Sequence, residues 1–276
     1  MRYDLHCHST RSDGLLAPAE VVRRAASRGV DVLALTDHDE VTGIAEAQAA
    51  AREAGIALVP AAEISVSWEE DVTLHVVALN IDPANETLRE GLAGIRAGRD
   101  GRARRIAAAL EKAGIPDTLA GAMRYVTHES LISRSHFARH LVDRGVAREV
   151  KDVFKRYLTP GKPGYVPHAW ATLPDALAWI RGAGGSAVLA HPGRYKLSRS
   201  GMRELVTAFR DMGGVGIEVL SSSHTAAQAA EFGSLARAYG LRASCGSDYH
   251  GPGESWLDLG DLPPLPGGLT PVWADW

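Results

Sequence analysis

The sequence predicts an α/β fold in which short strands and helices alternate around a mainly parallel sheet, with a helical insertion in the middle of the chain. Over the first 80 residues, short apolar runs alternate with alanine-rich amphipathic stretches. Between about Glu86 and Leu158 the sequence is rich in Arg and Ala and has no clear strand, and the alternation resumes after residue 164. We therefore predict one domain made of residues 1–85 and 166–276, with residues 86–165 inserted as a helical cap.

The elements of the first part are predicted from the residues that begin and end them. Pro18 in the first turn and Gly29 just past the end define the first helix, Thr42 suits the N-cap of the second, and Gly55 closes it. In chain order we expect an opening strand that ends with His6 and His8, helix Pro18–Arg28, strand Val30–Thr36, a helix from Thr42 to Ala54, strand Ile56–Ile64 and strand Val72–Ile81.

The insertion and the last part follow the same rules. Gly98, Gly101, Gly114 and Pro116 are expected to break the insertion into pieces rather than leave one long helix. The Pro- and Gly-rich tail from Gly251 is predicted to be irregular. Between them we expect helix Leu173–Ala183, strand Ser186–Ala190, helix Gly201–Met212, strand Val215–Leu220, helix Thr225–Tyr239 and strand Leu241–Cys245.

Composition favours a soluble globular enzyme. The 276 residues can bury a full core, and 45% are apolar and 23% charged, which are ordinary values. The formal net charge is −3 with no long basic run, so long nucleic acid and anionic membranes are not indicated as partners, and a small anionic substrate would need a local basic pocket. Cys7 and Cys245 lack a paired spacing, which argues against a disulfide framework. Because His6 follows Met1 so closely and no apolar run approaches ~18 residues, we expect a cytoplasmic protein without a signal peptide or membrane span.

His6 and His8 begin a candidate metal site. Side chains two residues apart on a strand point the same way, so the two imidazoles converge on one point. Further His and carboxylate side chains follow later strands, at the edge where parallel β-α folds place their sites. The full set of candidate ligands is His6, His8, Asp13, His38, Glu63, His75, His191, Asp248 and His250.

Each candidate ligand also has an ordinary structural interpretation. Asp13 before a glycine could belong to a turn, Glu63 could pair with a surface arginine, and His75 in an apolar strand could be a core histidine. The joint placement of the nine after strands favours the metal site instead. Nine N and O donors exceed what one ion needs, so the set predicts two or three divalent ions that share a carboxylate. Mn²⁺ is preferred, and Zn²⁺, Fe²⁺ or Mg²⁺ are alternatives.

These motifs resemble those of the PHP family, the polymerase and histidinol phosphatase group of the amidohydrolase superfamily. In family order the resemblance rests on His6-x-His8-Ser9, Ser12-Asp13-Gly14, Thr36-Asp37-His38, Glu63, His75, His191-Pro192 and Gly246-Ser247-Asp248-x-His250. It implies a distorted (β/α)7 TIM-like barrel with up to three metal ions at the carboxyl ends of its strands.

The resemblance also implies how the ligands divide. The implied groups are His6, His8, Glu63 and Asp248 for one ion, Glu63, His75 and His191 for a second, and Asp13, His38 and His250 for a third. A hydroxide held where Glu63, His75 and His191 meet would attack phosphorus. Asp37 and Asp39 are expected to orient His38.

A second resemblance concerns the insertion. The stretches 133–139, 161–167 and 191–195 are similar to stand-alone PHP phosphoesterases that act on 3′,5′-bisphosphonucleotides or on the 5′ ends of short RNA. Ser135 and Gly164 stand where some relatives have Pro and Ala, which leaves the exact substrate open.

The same stretches supply candidate substrate-binding residues. Arg134 begins a helix that Ser133 could cap, so its guanidinium and free backbone N–H groups could bind a phosphate and stabilise developing charge. Lys162 and Arg194 are predicted to face the same rim. His136 and His224 are further candidates for phosphate or ribose contacts, whereas His128, His140 and His168 are interpreted as surface or structural residues.

We therefore predict a metal-dependent phosphoesterase whose preferred reaction releases the 3′ phosphate of a 3′,5′-bisphosphonucleotide such as pAp. A 5′ to 3′ exonuclease on short RNA or DNA and a histidinol phosphatase are the alternatives among phosphoesterases. A non-catalytic, polymerase-associated metal-binding module is the alternative of another class. An amidohydrolase acting on C–N bonds would leave Arg134 and Lys162 without a task. No protein partner is expected.

Overall fold

The computed structural model describes residues 1–69, 72–127 and 131–276, and its strands form a nearly closed barrel. In chain order they are β1 Tyr3–Asp4, β2 Val32–Leu35, β3 Ala57–Trp68, β4 Val72–Leu79, β5 Ala171–Thr172, β6 Ser186–Leu189, β7 Gly216–Ser221 and β8 Arg242–Gly246. Around the ring the order is β1, β2, β3, β4, β6, β7 and β8, while the short β5 pairs with β3 outside it. The backbone N–H of Leu5 donates to Cys245 O at 3.0 Å and joins β1 to β8. The predicted (β/α)7 barrel is confirmed.

Helices surround this sheet and fill the insertion. They are α1 Pro18–Ser27, α2 Ile44–Ala54, α3 Glu86–Lys112, α4 Thr118–Met123, α5 Arg134–Asp143, α6 Val150–Val153, α7 Leu173–Gly182, α8 Arg199–Asp211 and α9 Ala226–Tyr239. A π-helical turn, Phe154–Leu158, directly continues α6. In the described ranges, no helix is both long and apolar enough to cross a membrane.

The direction of β4 is the main departure from a parallel sheet. The pairs β1–β2, β2–β3, β6–β7 and β7–β8 are parallel, whereas β4 runs antiparallel to both β3 and β6. Because β4 is reversed, its amino-terminal half lies beside the carboxyl ends of the parallel strands. His75 is therefore delivered to that rim, where its carbonyl accepts from the N–H of Ala190 at 3.0 Å.

The first strand, β1, ends at Asp4, before His6 and His8. Two predictions about helices are also wrong. The second helix begins at Ile44 with Gly43 as its N-cap rather than Thr42. The reason is Glu40, whose buried carboxylate accepts from the N–H groups of Val41 and Thr42 at 2.7 and 2.9 Å and holds both in the preceding loop.

The second wrong prediction concerns the insertion, because α3 runs without interruption through Gly98 and Gly101. A Cβ at Gly98 would lie 2.6 Å from the His168 imidazole, so this glycine gives room to a neighbouring side chain rather than ending the helix. The break predicted at Gly114 and Pro116 is present, since α3 ends at Lys112 and α4 begins at Thr118.

Helix α3 contributes to two hydrophobic cores. Leu88 and Leu92 in its first half pack with residues of β3 and β4, whereas Ile106 and Leu110 in its second half pack with Phe137 and other residues of the insertion. One continuous helix therefore joins the barrel to the insertion. The division at residues 85 and 165 stays a prediction.

Gly91 allows α3 to pack closely on α7, and this contact can be tested. A Cβ at Gly91 would lie 2.5 Å from the Trp179 ring, whereas Gly94 has nothing within 4 Å. Since alanine is favoured over glycine inside a helix, Gly94→Ala should raise the free energy of unfolding by about 1 kcal/mol. Gly91→Ala should lower it by roughly 1–3 kcal/mol because the methyl group overpacks the contact. Urea unfolding of both variants measures the difference, and stabilisation by Gly91→Ala would contradict the close packing.

Candidate active site

All nine predicted ligands meet at one rim of the barrel. Eight follow the carboxyl ends of parallel strands or lie in β3 at that edge, and His75 comes from the reversed β4. Their ligand atoms form overlapping groups in which all members lie within 4.8 Å of one another. The groups are His8, Asp13, His38 and His250; His6, His8 and Asp248; His6, Glu63 and His191; and His38, Glu63 and His75.

Glu63 is the centre of this cluster. Its side chain is fully buried, and Oε1 lies 2.9 Å from both His75 Nδ1 and His191 Nε2. Oε2 lies 3.0 Å from His38 Nδ1 and 3.3 Å from His8 Nε2. One carboxylate thus touches imidazoles of several groups, which is the geometry that a bridging ligand needs.

The cluster fits divalent metal ions. Among the described residues, Oδ1 of Asp13 is buried without a hydrogen-bond partner. The Nε2 atoms of His6 and His8 face each other at 3.2 Å, and Nδ1 of His75 faces Nε2 of His191 at 3.3 Å. Buried polar atoms need partners, and converging imidazole and carboxylate lone pairs are satisfied together by a shared cation.

Glu218 on β7 is a site residue that sequence reasoning missed. It is 1% exposed, its Oε1 lies 2.6 Å from His6 Nδ1, and its Oε2 accepts from the His191 N–H at 2.6 Å. The backbone φ of His191 is +25°, a value that residues other than glycine rarely adopt. The hydrogen bond from its N–H to Glu218 therefore helps to hold a strained residue. The available signal was a carboxylate inside the otherwise apolar strand Gly216–Ser221.

Asp37 has a different role from the one predicted. It accepts from Ser9 N and Ser9 Oγ at 2.8 and 2.6 Å and from Ser12 Oγ at 2.6 Å, and among the described hydrogen bonds none joins it to His38. Asp37 therefore fixes the loop between His8 and Asp13 rather than orienting His38.

Asp39 also departs from the prediction. Its carboxylate accepts from Ser65 N and Ser65 Oγ at 2.7 and 2.9 Å and forms a buried ion pair with Arg99 of α3. Asp39 thus links β3, which carries Glu63, to the helix that forms one wall of the site.

A cavity of about 160 Å³ lies over the ligand cluster. Seven of the nine candidate ligands line it, and so do Arg99 and Arg102 from α3, Arg134 from α5, and the rings of Phe154 and Trp170. Arg194 also lines the cavity and pairs with Asp248. Sequence reasoning missed Arg99 and Arg102 because the break expected at Gly98 and Gly101 hid the face of α3 that they share.

Arg102 and Arg134 form a cluster of positive charge that lacks a counterion among the described salt bridges. Arg102 Nε donates to Val166 O and Arg134 Nη1 to Leu158 O, each at 3.2 Å. Burial, followed by the charges of Arg134 and Arg99, lowers the pKa of Arg102 to about 9. Burial also lowers the pKa of Arg134. Guanidinium groups placed in this way favour an anion between them.

The first turn of α5 joins Arg134 to the candidate ligands. Ser133 is the N-cap of α5, as predicted, and its Oγ accepts from Ser135 N at 3.1 Å. The hydroxyls of Ser133 and Ser135 also donate to Asp13 Oδ2 at 3.1 and 2.9 Å. The start of the helix that carries Arg134 is therefore bonded to a candidate ligand.

Three predicted substrate residues lie outside the cavity wall. Lys162 is exposed in a turn, where its N–H donates to Thr159 O at 3.0 Å. His136 is buried in the cap of α5 and accepts from Ser133 N at 3.0 Å, and burial lowers its pKa to about 4, which keeps the ring neutral for this bond. At these positions neither Lys162 nor His136 contacts the cavity, so a role in substrate binding is not supported.

His224 supports the turn after His191. Its Nε2 accepts from Gly193 N at 3.2 Å, and its Nδ1 donates to Val219 O at 3.1 Å. It therefore steadies the turn that carries Arg194 rather than lining the cavity.

The remaining histidines agree with a structural interpretation where they are described. His140 is buried, with Nδ1 3.3 Å from Arg124 Nη2, and His168 packs edge-on against Trp170 with ring centroids 4.4 Å apart. His128 lies outside the described residues.

The chain is similar to known proteins over nearly its whole length. The family model described as PHP domain matches residues 4–159. A 3′,5′-nucleoside bisphosphate phosphatase from Chromobacterium violaceum is 52% identical over 275 residues, which cover 99% of this chain and 95% of the relative. The 5′-3′ exoribonuclease Rnm from Salmonella typhimurium is 44% identical over 276 residues, 99% of this chain and 93% of the relative. A solved structure of an amidohydrolase from Chromobacterium violaceum, with bound sulfate and no metal, is 51% identical and has a TM-score of 0.96 over 99% of this chain and 95% of that one.

The role of Glu218 can be tested by Glu218→Gln. Both carboxylate oxygens accept, one near His6 Nδ1 and one from His191 N, so an amide would present its NH2 group to one of these donors. We expect affinity for Mn²⁺ to fall by roughly 10- to 100-fold, measured by calorimetric titration after treatment with a chelator. Glu231→Gln on the exposed face of α9 is the matched control. Equal Mn²⁺ affinity in both variants would refute the assignment.

Proposed function

This chain belongs to the PHP-domain family and is a phosphoric ester hydrolase, and we propose that it releases the 3′ phosphate of a 3′,5′-nucleoside bisphosphate such as pAp. One observation carries the proposal: a single cavity is lined both by seven of the nine candidate ligands and by the buried Arg102 and the partly buried Arg134. A substrate with two phosphates can occupy both regions at once. The 52% identity to a bisphosphate phosphatase supports the same choice.

The ligand cluster would receive the phosphate that is hydrolysed. We propose that it holds two or three divalent ions, Mn²⁺ by preference, with Glu63 as the shared ligand. Such ions, when bound, lower the pKa of water and neutralise the charge of a phosphoryl group. Arg194, beside Asp248 at the cavity wall, would add a positive charge next to the same phosphate.

The arginine pair would hold the second phosphate. A phosphate dianion restores the charge balance that Arg102 and Arg134 lack among the described residues, and it offers oxygens to two guanidinium groups. Since Ser133 and Ser135 bond Asp13, the start of α5 keeps Arg134 in register with the ligand cluster. Binding at the far phosphate thus orients the near one for attack.

A 5′ to 3′ exonuclease is the second candidate. The 44% identity to an exoribonuclease over 99% of this chain favours it. The reacting bond is the same, because in a 5′-phosphorylated oligonucleotide the 3′ phosphate of the first nucleotide carries the next nucleoside. A histidinol phosphatase fits less well, since a cationic amine would face Arg102 and Arg134. A non-catalytic module would not need all nine candidate ligands, which are present in this chain.

The proposed reaction predicts phosphate release from pAp. With Mn²⁺, the purified protein should release phosphate and leave AMP, and a chelator should stop the reaction until Mn²⁺ is restored. Asp13→Ala and His191→Ala should each lower kcat/KM by at least about 100-fold, because each removes a candidate ligand. Lys162→Ala, an exposed change outside the cavity, should alter it less than twofold. A wild-type protein that releases no phosphate from pAp would refute the proposal.

The arginine pair predicts a difference between two substrates. Arg102→Met and Arg134→Met should each lower kcat/KM for pAp by roughly 10- to 100-fold, since a hydrogen bond between charged groups contributes ~1.5–3 kcal/mol. For 3′-AMP, which lacks the second phosphate, the change should stay within about threefold. Parallel kinetics on both substrates measure the ratio, and Lys162→Met is the control. Equal losses on both substrates would show that these arginines do not select the second phosphate.

A further inference from the structure

Trp256 presents a large aromatic ring to solvent. It is 70% exposed, even though the ammonium group of Lys151 lies 3.9 Å from its ring centroid. A ring this exposed is available to stack with a ligand. An exposed ring flanked by a cation suits a ligand that is both aromatic and anionic.

The loop that carries this tryptophan is bonded to the active site. Ser255 Oγ accepts from His250 N at 2.7 Å. The Glu254 carboxylate accepts from Arg139 Nε and Nη2, both at 2.7 Å, and the same Nη2 donates to Asp13 O at 2.5 Å. Glu254 and Ser255, which precede Trp256, are thus bonded to the loops of two candidate ligands that line the cavity, Asp13 through Arg139 and His250 directly.

Lys151 connects Trp256 to the part of the cavity lining that contains Phe154. It lies in α6, which continues into the π-helical turn that begins with Phe154. Phe154 lines the cavity, with the Arg134 guanidinium 5.6 Å from its ring centroid. Residues 148–156 carry four Lys or Arg and two acidic side chains, a formal net charge of +2 in a chain whose net charge is −3. Lys151 and Trp256, which we call the exit surface, are therefore each connected through a short stretch of chain to a residue that lines the cavity, and Lys151 lies within a locally basic segment.

The chemistry of the reaction identifies the occupant. In a 5′-phosphorylated oligonucleotide, the phosphate at the ligand cluster is esterified to the 5′ oxygen of a second nucleoside, which must extend away from the cluster and out of the cavity. Water adds its oxygen to this phosphorus, and the 3′ oxygen of the first nucleotide leaves and takes a proton. The products are a 5′-mononucleotide and an oligonucleotide one residue shorter that carries a new 5′ phosphate.

We propose that the exit surface binds the second nucleotide of a 5′-phosphorylated single-stranded oligonucleotide. Its base stacks on the open face of Trp256, and the phosphate that follows pairs with Lys151. This inference rests on the proposed function, because it assumes that the first nucleotide occupies the cavity. Through contacts of Trp256 and Lys151 with the second nucleotide, the same site would act on an oligonucleotide as well as on a bisphosphonucleotide.

Binding tests the inference without turnover. In a His191→Ala background, a 5′-phosphorylated pentaadenylate with a 3′ fluorescein label is titrated by fluorescence anisotropy. Trp256→Ala should raise its Kd by about tenfold, within the range of single base stacking contacts, whereas Trp256→Phe should stay within about threefold. Trp276→Ala, an exposed aromatic change at the other end of the last loop region, is the control. An unchanged Kd in Trp256→Ala overturns the inference whether or not the protein hydrolyses pAp.

Salt dependence and kinetics give independent readouts. Lys151→Ala should reduce the slope of log Kd against log salt concentration by about 0.7, the value for one contact with a single-stranded phosphate. Trp256→Ala should lower kcat/KM for the unlabelled pentaadenylate about tenfold and change that for pAp less than twofold. Equal losses on both substrates, or a wild type that cleaves pAp but not the oligonucleotide, overturn the inference. Absence of pAp hydrolysis refutes the proposed function instead, and the anisotropy result still decides the exit surface.

Discussion

The rest of the structure depends on how the fully buried carboxylate of Glu63 is stabilised. Removing a carboxylate from water is strongly unfavourable unless cations and donors surround it, and here imidazoles from several strand ends do so. They can converge only if the sheet closes. Two further backbone bonds continue this closure, both at 2.8 Å: Asp248 N donates to His6 O, which joins two candidate ligands, and His8 N donates to Tyr249 O, next to Asp248. Barrel closure and site assembly therefore depend on the same hydrogen bonds.

Several bonds join the insertion to the barrel around this cluster. The buried Asp39–Arg99 pair fastens α3 to β3, and the serine hydroxyls at the start of α5 fasten Asp13 to the helix that carries Arg134. Removing one partner of a buried pair leaves an uncompensated charge, which is strongly destabilising. Arg99, Arg102 and Arg134 are therefore held at a fixed position relative to the candidate ligands, and the cavity that they line has a defined size.

The ligands were predictable from the sequence because strand ends in a β-α fold share one rim, and residue type and order alone then identify the cluster. Glu218 was not, because its partner His6 is 212 positions away and its strand otherwise reads as buried. The reversed β4 was hidden, since the apolar pattern of a strand does not encode its direction. Arg99 and Arg102 were missed, because the face that α3 turns toward the cavity is set by tertiary contacts such as Gly91 against Trp179.

Two parts of the cavity would have different roles in recognition under the proposed function. The ligand cluster, with its ions bound, would act on a phosphate whatever is attached to it, so it would set the chemistry without restricting the substrate. Arg102 and Arg134 are different, because no described salt bridge gives either a counterion, and neighbouring guanidinium groups repel each other and favour a ligand that supplies an anion. A substrate with one phosphate leaves that repulsion in place. Under the proposed function, selection of a 5′-phosphorylated nucleotide would therefore come from this charge imbalance, while the substituent on the reacting phosphate would contact the surface outside the cavity.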